Sequence, residues 1–282
     1  MISKNSVLLI LGISCLSTLA TLPCPAALPM NQEKDWLGYF IGIENNHFRF
    51  GITPDGKASV IGLSKKGDML SSNLKIHVDF RVEQVMPDGK FTRCAILPET
   101  LESTQAAAAD PKLTVIRGKV KGDASFEITV EKSRNGVLLG GKIVEPGTLT
   151  ANPLRFSIDV TFPNVYLKSK KNGDKKAEKA FTDLIEEDRI QLVMADRKKV
   201  KLTPSESVDA SAKEFNGAGI MEAEISLSPY QGKSFVFAAA PNSSMTFSNS
   251  KPGPLHDGFV VTWAGDAAKD ANGTARLSIG MK

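Results

Sequence analysis

Leu74-Lys75-Ile76-His77-Val78-Asp79-Phe80-Arg81-Val82 alternates between apolar and polar side chains without a break. A period of two puts Leu74, Ile76, Val78, Phe80 and Val82 on one face and Lys75, His77, Asp79 and Arg81 on the other. That is the pattern of an antiparallel strand with one buried and one wet face. Pro87-Asp88-Gly89-Lys90 follows, and residues 91–96 turn apolar again. Pro presets one turn torsion and Gly accepts a positive φ, so the two runs read as a hairpin. Pro54-Asp55-Gly56-Lys57 joins residues 47–52 to 58–63 in the same way. The strands flanking the two turns do not otherwise match, so no solenoid repeat is implied.

Outward from this core the period of two persists. Residues 113–120, 126–130 and 154–160 alternate, and 190–194 with 200–202 form a further hairpin. Ser133-Arg134-Asn135-Gly136 predicts a primed turn, whose twist suits a hairpin. Gly140-Gly141 signals a bulge or a close approach of backbones. Residues 220–227, 234–239, 245–247, 258–263 and 275–279 supply the closing strands. Residues 98–110, with four consecutive alanines, predict a loop holding a short helical turn. From Lys175 to Glu187 the apolar residues Ala177, Ala180, Phe181, Leu184 and Ile185 fall at helical spacing. The reading totals about 13–15 strands, more than the seven to nine of a single small sandwich.

The expected fold is therefore all-β: one large antiparallel β-sandwich over residues 28–282 with one short helix. The alternative is two smaller β-sandwich domains divided near 167–177 or 204–219. In general shape this series of strands resembles the large sandwiches of sugar-handling proteins. No motif ties it to a particular family, and the analogy concerns architecture alone.

The first 27 residues stand apart. Lys4, then the apolar run 7–22, then small residues up to Ala27 give the order of a secretory signal peptide. The run is about 16 residues, short of the roughly 20 that span a bilayer as a helix. Cleavage is expected between residues 20 and 27. The body would then be secreted or periplasmic, or lipid-anchored to the envelope if Cys15 or Cys24 is acylated. No transmembrane segment follows the signal.

The chain carries 35 Lys plus Arg against 31 Asp plus Glu. That near-neutral balance argues against nucleic acid as a partner. Three cysteines, two of them inside the signal, exclude a disulfide framework. Cys94 reads as a small buried hydrophobe. The Lys-rich stretch from residue 168 is offset by its own acids and reads as a solvated face.

No recognised motif for a nucleophile, phosphate loop or cofactor occurs, so no cofactor is expected. His47, His77 and His256 show no metal-ligand spacing, and no metal is expected. Asp270-Ala271-Asn272-Gly273 matches the middle of a calcium loop, but Ala268 holds the first ligand position and no Glu closes it. Glu44, Asp79, Glu127, Glu131, Glu145, Asp159, Glu222 and Glu224 lie on strands, and nothing in the sequence selects a pair among them for glycoside chemistry.

Sugars are bound by aromatic faces beside polar groups. Tyr230 and Trp263, both expected at strand ends, are the leading ligand-binding candidates, followed by Trp36, Tyr39 and the loop residue His256. The expected function is a non-catalytic binding protein with carbohydrate as its partner. The alternatives are a glycan-acting enzyme of hydrolase, lyase or epimerase type, whose site assembles only in the fold, and a structural envelope protein.

Overall fold

A computed structural model describes residues 28–166, 175–209, 219–266, 268–270 and 272–282. The expected signal, residues 1–27, lies outside the described residues, as do 168–174 of the Lys-rich stretch and parts of both suggested domain divisions. In chain order the first nine strands are β1 (Ile41–Glu44), β2 (Phe48–Ile52), β3 (Ala58–Gly62), β4 (Ile76–Val85), β5 (Phe91–Cys94), β6 (Ile96–Glu102), β7 (Ala108–Ala109), β8 (Leu113–Val120) and β9 (Ser125–Ser133). The rest are β10 (Gly136–Glu145), β11 (Leu154–Phe162), β12 (Arg189–Met194), β13 (Lys199–Leu202), β14 (Ile220–Ser226), β15 (Ser234–Ala239), β16 (Ser243–Asn249), β17 (Phe259–Gly265) and β18 (Leu277–Met281). The helix α1 (Lys175–Glu187) lies where its apolar spacing predicts it.

Strand pairing makes two layers. The first runs β7-β1-β2-β3-β4-β11-β17-β16, with β5 sharing one edge of β4 with β3. The second runs β6-β8-β9-β10-β18-β15-β14-β12-β13. A single pairing, Ile220 with Met245, joins the layers at one corner. Every pairing is antiparallel except that of β1 with β7.

The core fills the space between the layers. Phe156, Ile158, Val160 and Phe162 point inward from β11, as do Ile76, Val78, Phe80 and Val82 from β4. The second layer answers with Phe126, Ile128 and Val130 from β9 and Phe235 and Phe237 from β15. Ring centroids of Phe162 and Phe235 are 5.5 Å apart, and those of Phe126 and Phe156 6.5 Å. Burying one such side chain contributes about 1.5–3 kcal/mol, so the all-β pattern is held by contacts between layers as much as by its ladders.

Three features differ from the sequence expectation. The strands number more than the sequence predicts, partly because residues 98–110 carry β6 and β7 in place of a helical turn. A register shift between Leu97 and Glu102 takes up Pro98, which lacks a ladder donor. The turn before Gly136 is not of the primed type, since neither Arg134 nor Asn135 has a positive φ. Gly136 serves close approach instead: a Cβ there would lie 2.0 Å from the carbonyl oxygen of Ile279 on β18. The two Pro-Asp-Gly-Lys turns behave as read, with Gly56 at φ +82° and Gly89 at +79°. Cys94 is a free, buried thiol whose pKa is pushed up first by burial.

Candidate functional site: a buried ionic face on the first layer

The outer faces of β4 and β11 are brought together by their register. His77 lies opposite Thr161, Asp79 opposite Asp159, Arg81 opposite Ser157 and Glu83 opposite Arg155. On the far side of β11, Thr262 of β17 stands opposite Asp159. On the far side of β4, Arg93 of β5 stands opposite Glu83 and Phe91 opposite Val85. Strand periodicity thus collects two arginines, three carboxylates and three hydroxyls from β4, β11 and β17 on one surface.

Most of these groups pair with one another. Arg81 Nη1 is 2.5 Å from Asp159 Oδ2, and Thr262 Oγ1 donates to Asp159 Oδ1 at 2.7 Å. Arg155 Nε donates to Glu83 Oε2 at 2.8 Å, and Ser157 Oγ donates to the same oxygen at 3.0 Å. Asp159, Glu83 and Ser157 are buried although they sit on an outer face. Burial raises the Asp159 carboxyl above its ordinary value; Thr262 and Arg81 oppose the shift, and the nearby Glu83 and Asp79 charges add to it. Arg81 Nε is itself buried without a partner.

Asp79 is the exception. It faces a like charge across the ladder, an arrangement that costs stability. Among the described residues its side chain has no ion pair or hydrogen bond. Beside it the layer is broken: β3 pairs with β4 only as far as Val78, and β5 begins at Val82. A cavity of about 400 Å³ occupies the break, with Asp79, Lys57 and Arg93 among its polar lining and Phe80, Leu101 and Ile128 beneath. Phe91 flanks the face, 47% exposed, with the Arg155 guanidinium 3.2 Å from its ring centroid.

The leading aromatic candidates are not on this surface. Tyr230 is wholly buried, its ring edge-on to Phe235 at 4.9 Å and its hydroxyl donating to the Leu74 carbonyl. Trp263 is wholly buried, with Nε1 donating to Ser243 Oγ at 2.9 Å. A ring with no exposed face cannot cover a sugar, so both belong to the core; Trp263 falls at an inward register position of β17 and Tyr230 on the 3-10 turn Ser228–Tyr230. Trp36 and Tyr39 lie over β1 and β2, where Gly42 and Gly51 leave room for their rings. The Trp36 ring is buried under the Arg49 guanidinium, 4.1 Å from its centroid.

His256 sits elsewhere, edge-on to Tyr166 and Phe181. Its Nε2 is 4.0 Å from Asp257 Oδ1, and its Nδ1 is buried without a partner. The neighbouring Asp188 accepts hydrogen bonds from Tyr166 Oη and from the Ser228 amide and hydroxyl, and it is a satisfied structural carboxylate. His77 is exposed on β4, and His47 has a buried, unpartnered Nδ1. Asp270 ties its loop together by accepting from Asn242, Thr274 and Ala275, and no group of three or more metal-ligating side chains occurs among the described residues.

Asp79 and Asp159 are in the sequence-level pool of strand acids, but only the β4–β11 register pairs them. Glu83, Arg155 and Arg93 carry no sequence signal beyond alternation, and a search confined to Trp and Tyr passes over Phe91.

No family model matches the chain, and no curated protein matches it. Among solved structures it is similar to an α-N-acetylgalactosaminidase from Bifidobacterium bifidum in complex with GalNAc, with 13% identity, a TM-score of 0.50, and coverage of 86% of this chain and 35% of that one. It also matches a putative aldose 1-epimerase from Escherichia coli K12, at 11% identity and a TM-score of 0.46 over 86% of this chain and 98% of that one. A galactose mutarotase-like protein from Lactobacillus casei gives 11% identity and 0.47 over 86% and 99%. The chain spans about a third of the length of the galactosaminidase. At these identities the likeness is one of fold.

Proposed function

We propose that the chain binds carbohydrate on the outer face of β4, β11 and β17. The observation that carries this reading is the row of Arg–carboxylate pairs whose acids are buried on an outer face, bordered by the unpaired Asp79, the exposed Phe91 and an open cavity. Fixed carboxylates and guanidinium groups suit sugar hydroxyls, and an exposed ring suits the apolar side of a pyranose. The sugar-related names of the similar folds agree with it. A screen of the purified chain against a broad glycan panel, reading both binding and release of reducing ends, tests it; binding without release is the expected result.

A second reading, a glycan-acting enzyme, is favoured by one observation. Asp79 faces Asp159, whose proton affinity is raised by burial, and paired acids of unequal proton affinity are the raw material of acid–base catalysis. Release of reducing ends that disappears in Asp79→Asn would establish it. For location, the charged, apolar and small order of residues 1–27 supports an exported protein, secreted or periplasmic, with a lipid anchor as the alternative. Amino-terminal sequencing and mass measurement of the exported chain distinguish these.

A further inference from the structure

We propose that the break beside β4 is a subsite for an amine-bearing ligand, and that the sugar recognised by this protein is an amino sugar with a free ammonium group. This inference rests on the carbohydrate reading and extends it. It starts from the unequal treatment of three carboxylates on one surface. Asp159 is neutralised by Arg81 and Glu83 by Arg155. Asp79 has no counter-charge, stands directly across the ladder from Asp159, and lines the cavity. Like charges held opposite one another cost stability unless a cation comes between or beside them. Arg81 and Arg155 are committed to Asp159 and Glu83, Lys57 of the cavity wall is held by Asp55 at 2.6 Å, and Arg93, which also lines the cavity, makes no ion pair with Asp79. A ligand that places a cation on Asp79 would complete the row.

The rest of the cavity defines what carries that cation. Phe80, Leu101 and Ile128 give it an apolar floor, and Arg93 at the rim has no ion pair among the described residues. Its volume, about 400 Å³, is within the range of small-molecule sites. A pyranose with an ammonium substituent meets these demands: the ammonium donates to Asp79, the apolar ring face lies on the floor, and a hydroxyl accepts from Arg93. An N-acetylated sugar has the same ring but no charge, and a neutral hexose has a hydroxyl in place of the ammonium.

Calorimetric titration of the full chain with glucosamine, galactosamine, their N-acetyl forms and the parent hexoses is the test, repeated with Asp79→Asn. The expected result is that at least one free-amine sugar binds at least tenfold more tightly than its N-acetyl and neutral counterparts, and that Asp79→Asn removes that margin. Thermal melting of Asp79→Asn serves as the control, and it should match or exceed that of the wild type because a like-charge contact is relieved. Equal binding of neutral and amine sugars overturns the amino-sugar inference while leaving the carbohydrate reading intact. So does an amine preference that survives in Asp79→Asn. Absence of binding by every sugar overturns both.

Discussion

The two layers present outer faces built from the same alternation of charged residues, yet they treat those charges differently. On the second layer Arg117 pairs with Glu127 at 3.1 Å and Lys282 with Glu224 at 3.0 Å, and the cationic side chains are 61% and 63% exposed. On the first layer the cations of the Arg81–Asp159 and Arg155–Glu83 pairs are 27% and 25% exposed, and their acids 5% and 8% against 17% and 36% for Glu127 and Glu224. Ion pairs in water are worth little, whereas buried ones are costly to break because a desolvated charge is left behind. Alternation alone therefore does not separate a wet face from a face of desolvated ion pairs; burial does, and burial depends on which strands the fold lays side by side.

The comparison can be broken at its strongest point by Asp159→Ala. This substitution removes the acceptor of both Thr262 and Arg81 and should cost about 2 kcal/mol, read as a shift in the denaturation midpoint. A loss indistinguishable from zero would make the first layer's pairs equivalent to the second layer's. The pH dependence sharpens the same point. Because burial raises the Asp159 carboxyl in the folded state above the 3.8 of an ordinary carboxyl, the folded protein holds that proton longer than the unfolded chain does. Its contribution to stability is present below that ordinary value and is lost as pH rises through the raised one. The melting temperature of Asp159→Asn relative to wild type should therefore climb as pH increases across that window; a flat difference would show that the folded and unfolded carboxyls titrate alike.

On the second layer, Arg117→Ala should change stability by no more than about 0.5 kcal/mol, with little dependence on pH, and a loss near that of Asp159→Ala would erase the contrast. Smallest of all in stability should be Phe91→Ala, since the ring is half exposed and packs mainly against Arg155. Its denaturation midpoint should stay within the error of the wild type.

The legible part of the fold follows from strong local rules. The run from Leu74 to Val82 becomes most of β4, the two Pro-Asp-Gly-Lys turns adopt the positive φ that glycine allows, and the apolar spacing of Lys175–Glu187 becomes α1. Where a local signal had a long-range cause, it misled. Ser133–Gly136 closes the β9–β10 hairpin as read, but without the primed turn that Asn135-Gly136 suggests, and Gly136 admits the backbone of β18. The alanines 106–109 look helical, but Ala108 and Ala109 add a short parallel rung to β1. The candidate site was the least legible part, because it is made by register. Asp79 and Asp159 are 80 residues apart in sequence and meet only because β4 pairs with β11. Tyr230 lies between β14 and β15, as its sequence context implies, whereas Trp263, expected at a strand end, lies within β17, which runs on to Gly265; both rings complete the core.

The central claim is that the outer face of the first layer holds a sugar. Its most direct test measures the affinity of the best glycan from the panel for wild type, for Phe91→Ala and for Leu113→Ala, an exposed apolar residue of the second layer. All three should fold equally well. The account predicts that Phe91→Ala weakens binding about tenfold, by removing an aromatic contact of about 1.4 kcal/mol, while Leu113→Ala binds as the wild type does. Unchanged affinity in Phe91→Ala, or a loss confined to Leu113→Ala, would contradict it.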